Sequence, residues 1–186
     1  MHGPFLDLNP ASWDPYIAAA SRRRYEQAWQ VARTLDARVL VFHTCFIPRA
    51  NYIEGWSERM AAFFNTFLED KPASPLVVME NVYDPDPAPL AEVARHVRHP
   101  AFGLCLDLGH AHCYSAIPLA EWIRTFGSDL KHVHIHDNHG QNDEHLAPGH
   151  GTIPYDELLP LLPGSATRTL ECSSAGEIPG ACELLS

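Results

Sequence analysis

Five short, mostly apolar runs in this chain each end on, or within a residue of, a side chain that can bind an ion. Val39 to Phe42 leads to His43, Leu76 to Met79 to Glu80, Phe102 to Leu106 to Asp107, and Thr167 to Leu170 to Glu171. His134 sits near the end of the run that starts at Leu130. Runs that are apolar along their length, not alternating, read as strands covered on both faces, the mark of a parallel sheet flanked by helices. Between them lie segments with helical spacing of apolar residues: Asp14 to Leu35, Glu54 to Leu68, Pro87 to Val97, Pro118 to Phe126 and Pro154 to Leu162. Asp14-Pro15 is a good start, a capping side chain followed by a proline. Parallel strands end on the same side of their sheet, so the five terminal groups are expected to converge there. An open doubly wound sheet gathers such groups only around its switch point, whereas a closed α/β barrel gathers them from every strand. A barrel is therefore the expected fold class. Strand-stopping polar residues would explain one or two of these positions, not all five.

The histidine content points the same way. Six of the 12 histidines fall between Leu130 and Gly151, in LKHVHIHDNHGQNDEHLAPGHG. His132, His134 and His136 alternate along a strand and so are expected to share a face. Neutral imidazole and carboxylate are the usual ligands of zinc and related divalent ions. The bland alternative is a solvated hairpin that is rich in histidine by chance. His132 reads as a buried, hydrogen-bonded structural residue. His112, His136, His139 and His150 could reach a substrate or sit in solvent.

Composition removes other classes. With 186 residues the chain is one domain with room for a substantial core. The formal net charge is −10 and no basic run occurs, which argues against a nucleic-acid partner, since duplex binding needs clustered Lys and Arg. Cys45, Cys105, Cys113, Cys172 and Cys182 are odd in number and none has CxxC spacing, so reduced thiols and a cytoplasmic location are expected. Cys105 and Cys172 read as packed strand residues. No apolar run reaches the ~18 residues of a membrane span.

The motifs HGPF at His2, VFHT at His43, MEN at Glu80, LDLGH from Leu106, HIHD at His134, DEHLAPGHG from Asp143 and LE at Glu171 together resemble the xylose-isomerase-like TIM barrels. That superfamily holds sugar isomerases and epimerases together with endonuclease IV, and the resemblance covers nearly the whole chain. It implies a (β/α)8 barrel and one divalent ion held by Glu80, Asp107, His134 and Glu171. It implies Glu80 and Glu171 as the acids that move a proton on carbon through a metal-stabilised enediolate. The endonuclease branch uses further ligands, whose counterparts are His2, His43, His110, Asp143 and His145. Asp137, His136 and Asn81 are expected to orient a ligand or reach the substrate. Gly149 and Gly151 are expected to let the loop pass close to the site. The ion could be zinc, manganese, cobalt or magnesium.

A complete barrel of this type needs ~250 residues. His2 reads as the end of the family's second strand, so the first β/α unit is expected to be missing and the last helix cut short. Two readings of the resulting open seam stand: a truncated gene product, or closure by a homodimer. Three functions follow. The first is an isomerase or epimerase of a small-molecule sugar or sugar phosphate. The second is a trinuclear zinc phosphodiesterase, and the third is a metal-binding remnant without activity.

Overall fold

The computed structural model describes residues 1–185. Five strands pair side by side, all parallel and in chain order: β1 (Val39–His43), β2 (Leu76–Glu80), β3 (Phe102–Asp107), β4 (Leu130–Ile135) and β5 (Thr167–Leu170). Three long helices lie between or before them, α1 (Pro15–Thr34), α2 (Trp56–Leu68) and α3 (Ala88–His96). Shorter ones follow: α4 (Leu108–Tyr114), α5 (Leu119–Phe126), α6 (Tyr155–Leu158) and α7 (Ile178–Leu184). His2 bridges to Val41 in parallel register, with Gly3 N–H donating to the Val41 carbonyl at 2.8 Å, so a short extended segment extends the sheet beyond β1. Among the described residues nothing pairs with the far edge of β5.

The local chemistry explains the elements. Asp14 caps α1 by accepting from the Tyr16 N–H at 2.8 Å, and Pro15 presets the first turn. The buried stripe of α1 (Ser21, Tyr25, Ala28, Trp29, Ala32) packs on the sheet, where Tyr25 stacks on Phe42 with ring centroids 3.7 Å apart. Every residue of β3 is buried, as a strand covered on both faces requires. No helix of the described residues is long and apolar enough to cross a membrane.

The sheet curls. In a flat sheet, β2 and β5 would lie three strand spacings apart, roughly 14 Å at ~4.8 Å each. Yet side chains at the ends of these two strands, Glu80 and Glu171, both reach His134 between them, at 2.9 and 3.2 Å. His2, beyond β1, brings its ring to 6.3 Å from that of His134. The architecture is thus a five-stranded parallel half-barrel with its strand ends gathered on the concave side, a TIM-barrel-like fold. A cavity of about 500 Å³ separates the two sheet margins, lined by Met1, Arg38 and Val39 on one side and Thr167, Arg168 and Thr169 on the other.

Four expectations need correction. The helix expected over 154–162 is only Tyr155–Leu158 followed by a 3-10 turn over Leu159–Leu161. Pro160 is the cause, because it has no N–H to give and crowds the preceding turn. The strand face expected to hold three histidines holds two: the strand ends at Ile135, and His136 lies beyond it. Cys172 is not a strand residue, since β5 stops at Leu170. Finally, α4 has no counterpart among the expected helices. It starts immediately after β3, capped by Asp107, whose carboxylate accepts from the His110 N–H at 2.7 Å.

Candidate metal centre

The ends of the five strands bring three groups of potential ligands together. In each group the ligand atoms lie within 4.8 Å of one another. The first is Glu80, Asp107, His134 and Glu171; the second is His2, His43 and Glu80; the third is His110, His136, Asp143 and His145. Glu80 belongs to two of them. All nine residues that the resemblance nominates as ligands are therefore in one cluster.

In the first group, His134 Nδ1 is the centre. It lies 2.9 Å from Glu80 Oε1, 3.2 Å from Glu171 Oε1 and 3.8 Å from Asp107 Oδ2. The Glu80 side chain is 1% exposed and that of Glu171 26%, so one acid is dry and the other faces the opening. Burial pushes Glu80 up, but hydrogen bonds from His134 and His2 and the charges around them outweigh it. The carboxyl is held well below the usual range. Burial likewise opposes the charged form of His134, and the bond and charge of Glu80 reverse that effect, raising it.

The second group is built on the β1 margin. His2 Nδ1 donates to the carbonyl of Gly3 at 2.7 Å, which fixes the proton on Nδ1. Its Nε2 lies 3.2 Å from Glu80 Oε2, to which the protonated ring donates, and 3.0 Å from His43 Nε2. Burial opposes the charged form of His2, but the bond and charge of Glu80 outweigh it and raise this ring. Burial holds His43 down to about 4, against the pull of Glu80, so this ring is neutral near pH 7. Phe5 stacks on His43 at 4.4 Å, and a cavity of about 360 Å³ opens beside it between Phe5, Leu6, Cys45, Ile47 and Tyr83.

The third group follows the same logic. His110 Nδ1 donates to the Asn81 carbonyl at 3.0 Å and His145 Nδ1 to the Glu171 carbonyl at 2.7 Å. Both Nε2 atoms face Asp143 Oδ2, at 3.4 and 3.2 Å. Burial lowers His110, yet Asp107, Asp143 and Glu80 overcome it and push it up to about 10. The bond to Asp143 pushes His145 up to about 9. Four carboxylates thus create a field that calls for positive charge, which protons or a metal ion can satisfy, and imidazole nitrogens are aimed into it. That donor set suits a divalent ion of the zinc kind.

Supporting residues hold the cluster in shape. The Asn81 amide brackets the backbone of Asp107, donating to its carbonyl at 3.0 Å and accepting from its N–H at 2.9 Å. Asn81 therefore braces the strand end and does not reach the opening. Asp137 accepts from the N–H groups of Asn138, Gly149 and Ile153 at 2.9, 2.9 and 3.1 Å, so it holds the loop carrying Asp143 and His145. Gly151 has a steric reason: a Cβ there would overlap Asp137 Oδ1 and the backbone of Asn138. His145 adopts φ of +51°, a left-handed conformation unusual for a side-chain-bearing residue. His132 is satisfied by Thr167 and Thr169 at 2.6 and 3.0 Å. His112, His139 and His150 face Thr152, Glu144 and Glu177, away from the three groups. The contribution of His136 to the third group was not evident from the sequence. The signal available was its place in HIHD, one step beyond His134 and Ile135.

The model of the xylose isomerase-like TIM barrel family matches residues 1–173. The uncharacterized protein MJ1311 of Methanocaldococcus jannaschii is 31% identical over 175 residues, covering 87% of this chain and 59% of that protein. The chain spans about three fifths of the length of such relatives. Among solved structures, a D-tagatose 3-epimerase-like protein superposes with a TM-score of 0.83 at 27% identity, covering 99% of this chain and 74% of that one. The TTHB071 protein of Thermus thermophilus, soaked with zinc chloride, superposes with a TM-score of 0.80 at 26% identity, covering 98% of this chain and 75% of that one.

Proposed function

We propose that this chain, which belongs to the xylose isomerase-like TIM barrel family, is a divalent-metal-dependent isomerase or epimerase of a small sugar or sugar phosphate. The observation that carries the reading is the first group. Three carboxylates and one imidazole, each from a different strand end, surround a single point and leave one side open. A bound divalent ion would supply a Lewis acid for a substrate carbonyl. The epimerase-like structural neighbour supports the same class.

The side chains divide the work. Glu171 is the acid on the open side and carries a proton to and from the substrate carbon. Glu80 is the opposing acid. It is buried, and its two oxygens are already engaged by His134 and His2, so it acts mainly as a ligand and takes a proton only when one oxygen is released. Asp107 holds the ion and, through its bonds with Asn81 and the α4 N-terminus, keeps its own strand end fixed. Phe5 and Tyr83 line the cavity on the β1 side of the opening. Incubation with ketopentoses, ketohexoses and their phosphates in heavy water, with zinc, manganese or cobalt added, tests this reading. Deuterium entering a carbon position is the supporting result. Failure of every such sugar to exchange would move the assignment to a metal-binding barrel without activity.

One observation favours a second reading, metal-assisted hydrolysis of a phosphodiester. The second and third groups adjoin the first and supply more donors than a one-ion proton transfer needs. Metal content separates the two. One ion per chain, or two with the second in the third group, supports the isomerase, and three, with the second group also filled, supports the hydrolase.

A further inference from the structure

Two buried polar atoms near the centre have no hydrogen-bond partner among the described residues: His136 Nδ1 and Asp143 Oδ1. They face each other across 3.7 Å, too far for a direct hydrogen bond. The His136 side chain is fully buried, and a buried lone pair without a partner costs about 1–3 kcal/mol. A reason for it should exist.

The proton on this ring can be placed. His136 Nε2 lies 3.0 and 3.2 Å from the two carboxylate oxygens of Asp107, which only accept. Nε2 therefore carries the hydrogen, and Nδ1 carries the lone pair. His110 and His145 are also fixed, each donating Nδ1–H to a backbone carbonyl and turning Nε2 toward Asp143. With these rings neutral, three imidazole lone pairs converge on a carboxylate, and even when His110 and His145 donate Nε2–H to Asp143 Oδ2, His136 Nδ1 and Asp143 Oδ1 stay without a donor. A cation resolves that conflict.

The His136 ring is held in place by packing. It stacks on His145 with centroids 3.9 Å apart and an interplanar angle of 7°, and it meets His110 edge-on at 5.6 Å. Gly109 makes room for it, because a Cβ at that position would overlap the imidazole. The glycine of LDLGH thus has a specific task, to let this ring lie against α4.

We propose that His136 is the fourth protein ligand of a zinc-type site completed by His110, Asp143 and His145, and that its opposite edge positions Asp107. The family resemblance implies only the other three. Three nitrogens and one carboxylate oxygen fill the four positions that zinc takes in structural sites, so no position is left for substrate. An ion there ties α4, the end of β4 and the loop over 137–153 together, and through the Nδ1–H of His145 it also reaches the carbonyl of Glu171. The site stands on its own geometry and does not depend on the proposed reaction.

The test uses the full chain, stripped of metal and reloaded with zinc against a competing chromophoric chelator. His136→Gln keeps an amide near the place of Nε2 but removes the Nδ1 donor. One zinc per chain is expected to weaken by ~10–100-fold or more, with far-ultraviolet circular dichroism unchanged. In the cobalt-substituted protein the intense d–d absorption of a four-coordinate site should fall. His136→Asn offers a donor near the place of Nδ1 and gives up the contact with Asp107. It should retain more of that zinc than His136→Gln does. A measurement on the native sequence avoids any folding defect: with ¹¹³Cd bound, His136 is expected to couple to the metal through Nδ1, and His110 and His145 through Nε2. Unchanged zinc affinity and cobalt spectrum in His136→Gln, or no cadmium coupling at either His136 nitrogen, would overturn the proposal.

Discussion

Glu80 and Glu171 grip one atom, His134 Nδ1, from two sides, at 2.9 and 3.2 Å, although their strands are separated by β3 and β4 in the sheet. Only a curled sheet allows this. The relationship links the fold to the chemistry, since the same curvature that buries the core on the convex side concentrates acids on the concave one.

Glu171 and Asp107 should respond differently to loss of charge. Glu171→Gln is expected to lower the rate of carbon–hydrogen exchange by ~10²–10⁴-fold, the usual scale for a positioned acid–base group. Asp107→Asn should instead act first on metal affinity. Steady-state exchange rates combined with metal titrations check the split. Equal loss of metal in both variants would contradict the assignment of Glu171 to proton transfer.

Metal removal should be felt in stability as well as activity. An ion that binds only the folded chain stabilises it by about 2.7 kcal/mol when present at 100 times its dissociation constant. Thermal unfolding followed with and without chelator should therefore show a lower Tm without metal, and zinc should restore it. A Tm that ignores both treatments would count against ion binding by the folded state.

The loop over 137–153 should tolerate no side chain at Gly151. A Cβ there overlaps Asp137 and Asn138, and overpacking of this kind costs about 1–3 kcal/mol. Gly151→Ala is expected to lower stability by that amount and to loosen zinc held by Asp143 and His145. Denaturant unfolding and zinc titration measure the two effects.

Asp84 gives a pH prediction outside the ligand groups. It is buried beneath the β1 and β2 loops, where its Oδ2 accepts from the Thr44 hydroxyl at 2.8 Å and the Val82 N–H at 2.9 Å. Burial pushes its carboxyl up to about 6, against those two bonds. A carboxyl raised in the folded state favours folding most below its ordinary value near pH 4, and this contribution is lost as pH rises through 6. Two units correspond to about 3 kcal/mol. Asn can accept the same two bonds, so Asp84→Asn should become more stable relative to the native sequence as pH rises from 4 to 7. Parallel pH profiles of unfolding free energy for the two proteins would contradict this.

Much of this was legible in the sequence because β1, β2 and β3 are short, apolar and closed by an acid or a histidine, whereas β5, TRTL, is mostly polar and exposed. His43, Glu80 and Asp107 each close a strand at the expected residue. What escaped was local. The LGHAHCY segment has no apolar period and is too short to announce a helix, so α4 emerges only from Asp107 acting as its cap. His136 follows the alternation of β4 on paper, but the strand stops one residue earlier and the ring joins His110 and His145. Period-two reasoning has no purchase once the ladder ends. Curvature, which brings Glu171 to His134, is a property of the whole sheet and not of any one run.

The most direct measurement is an anomalous difference map at the zinc edge, from crystals of the chain grown with zinc. A peak bounded by the side chains of Glu80, Asp107, His134 and Glu171 is the predicted result. A zinc-loaded crystal with no peak between those four side chains would contradict the account.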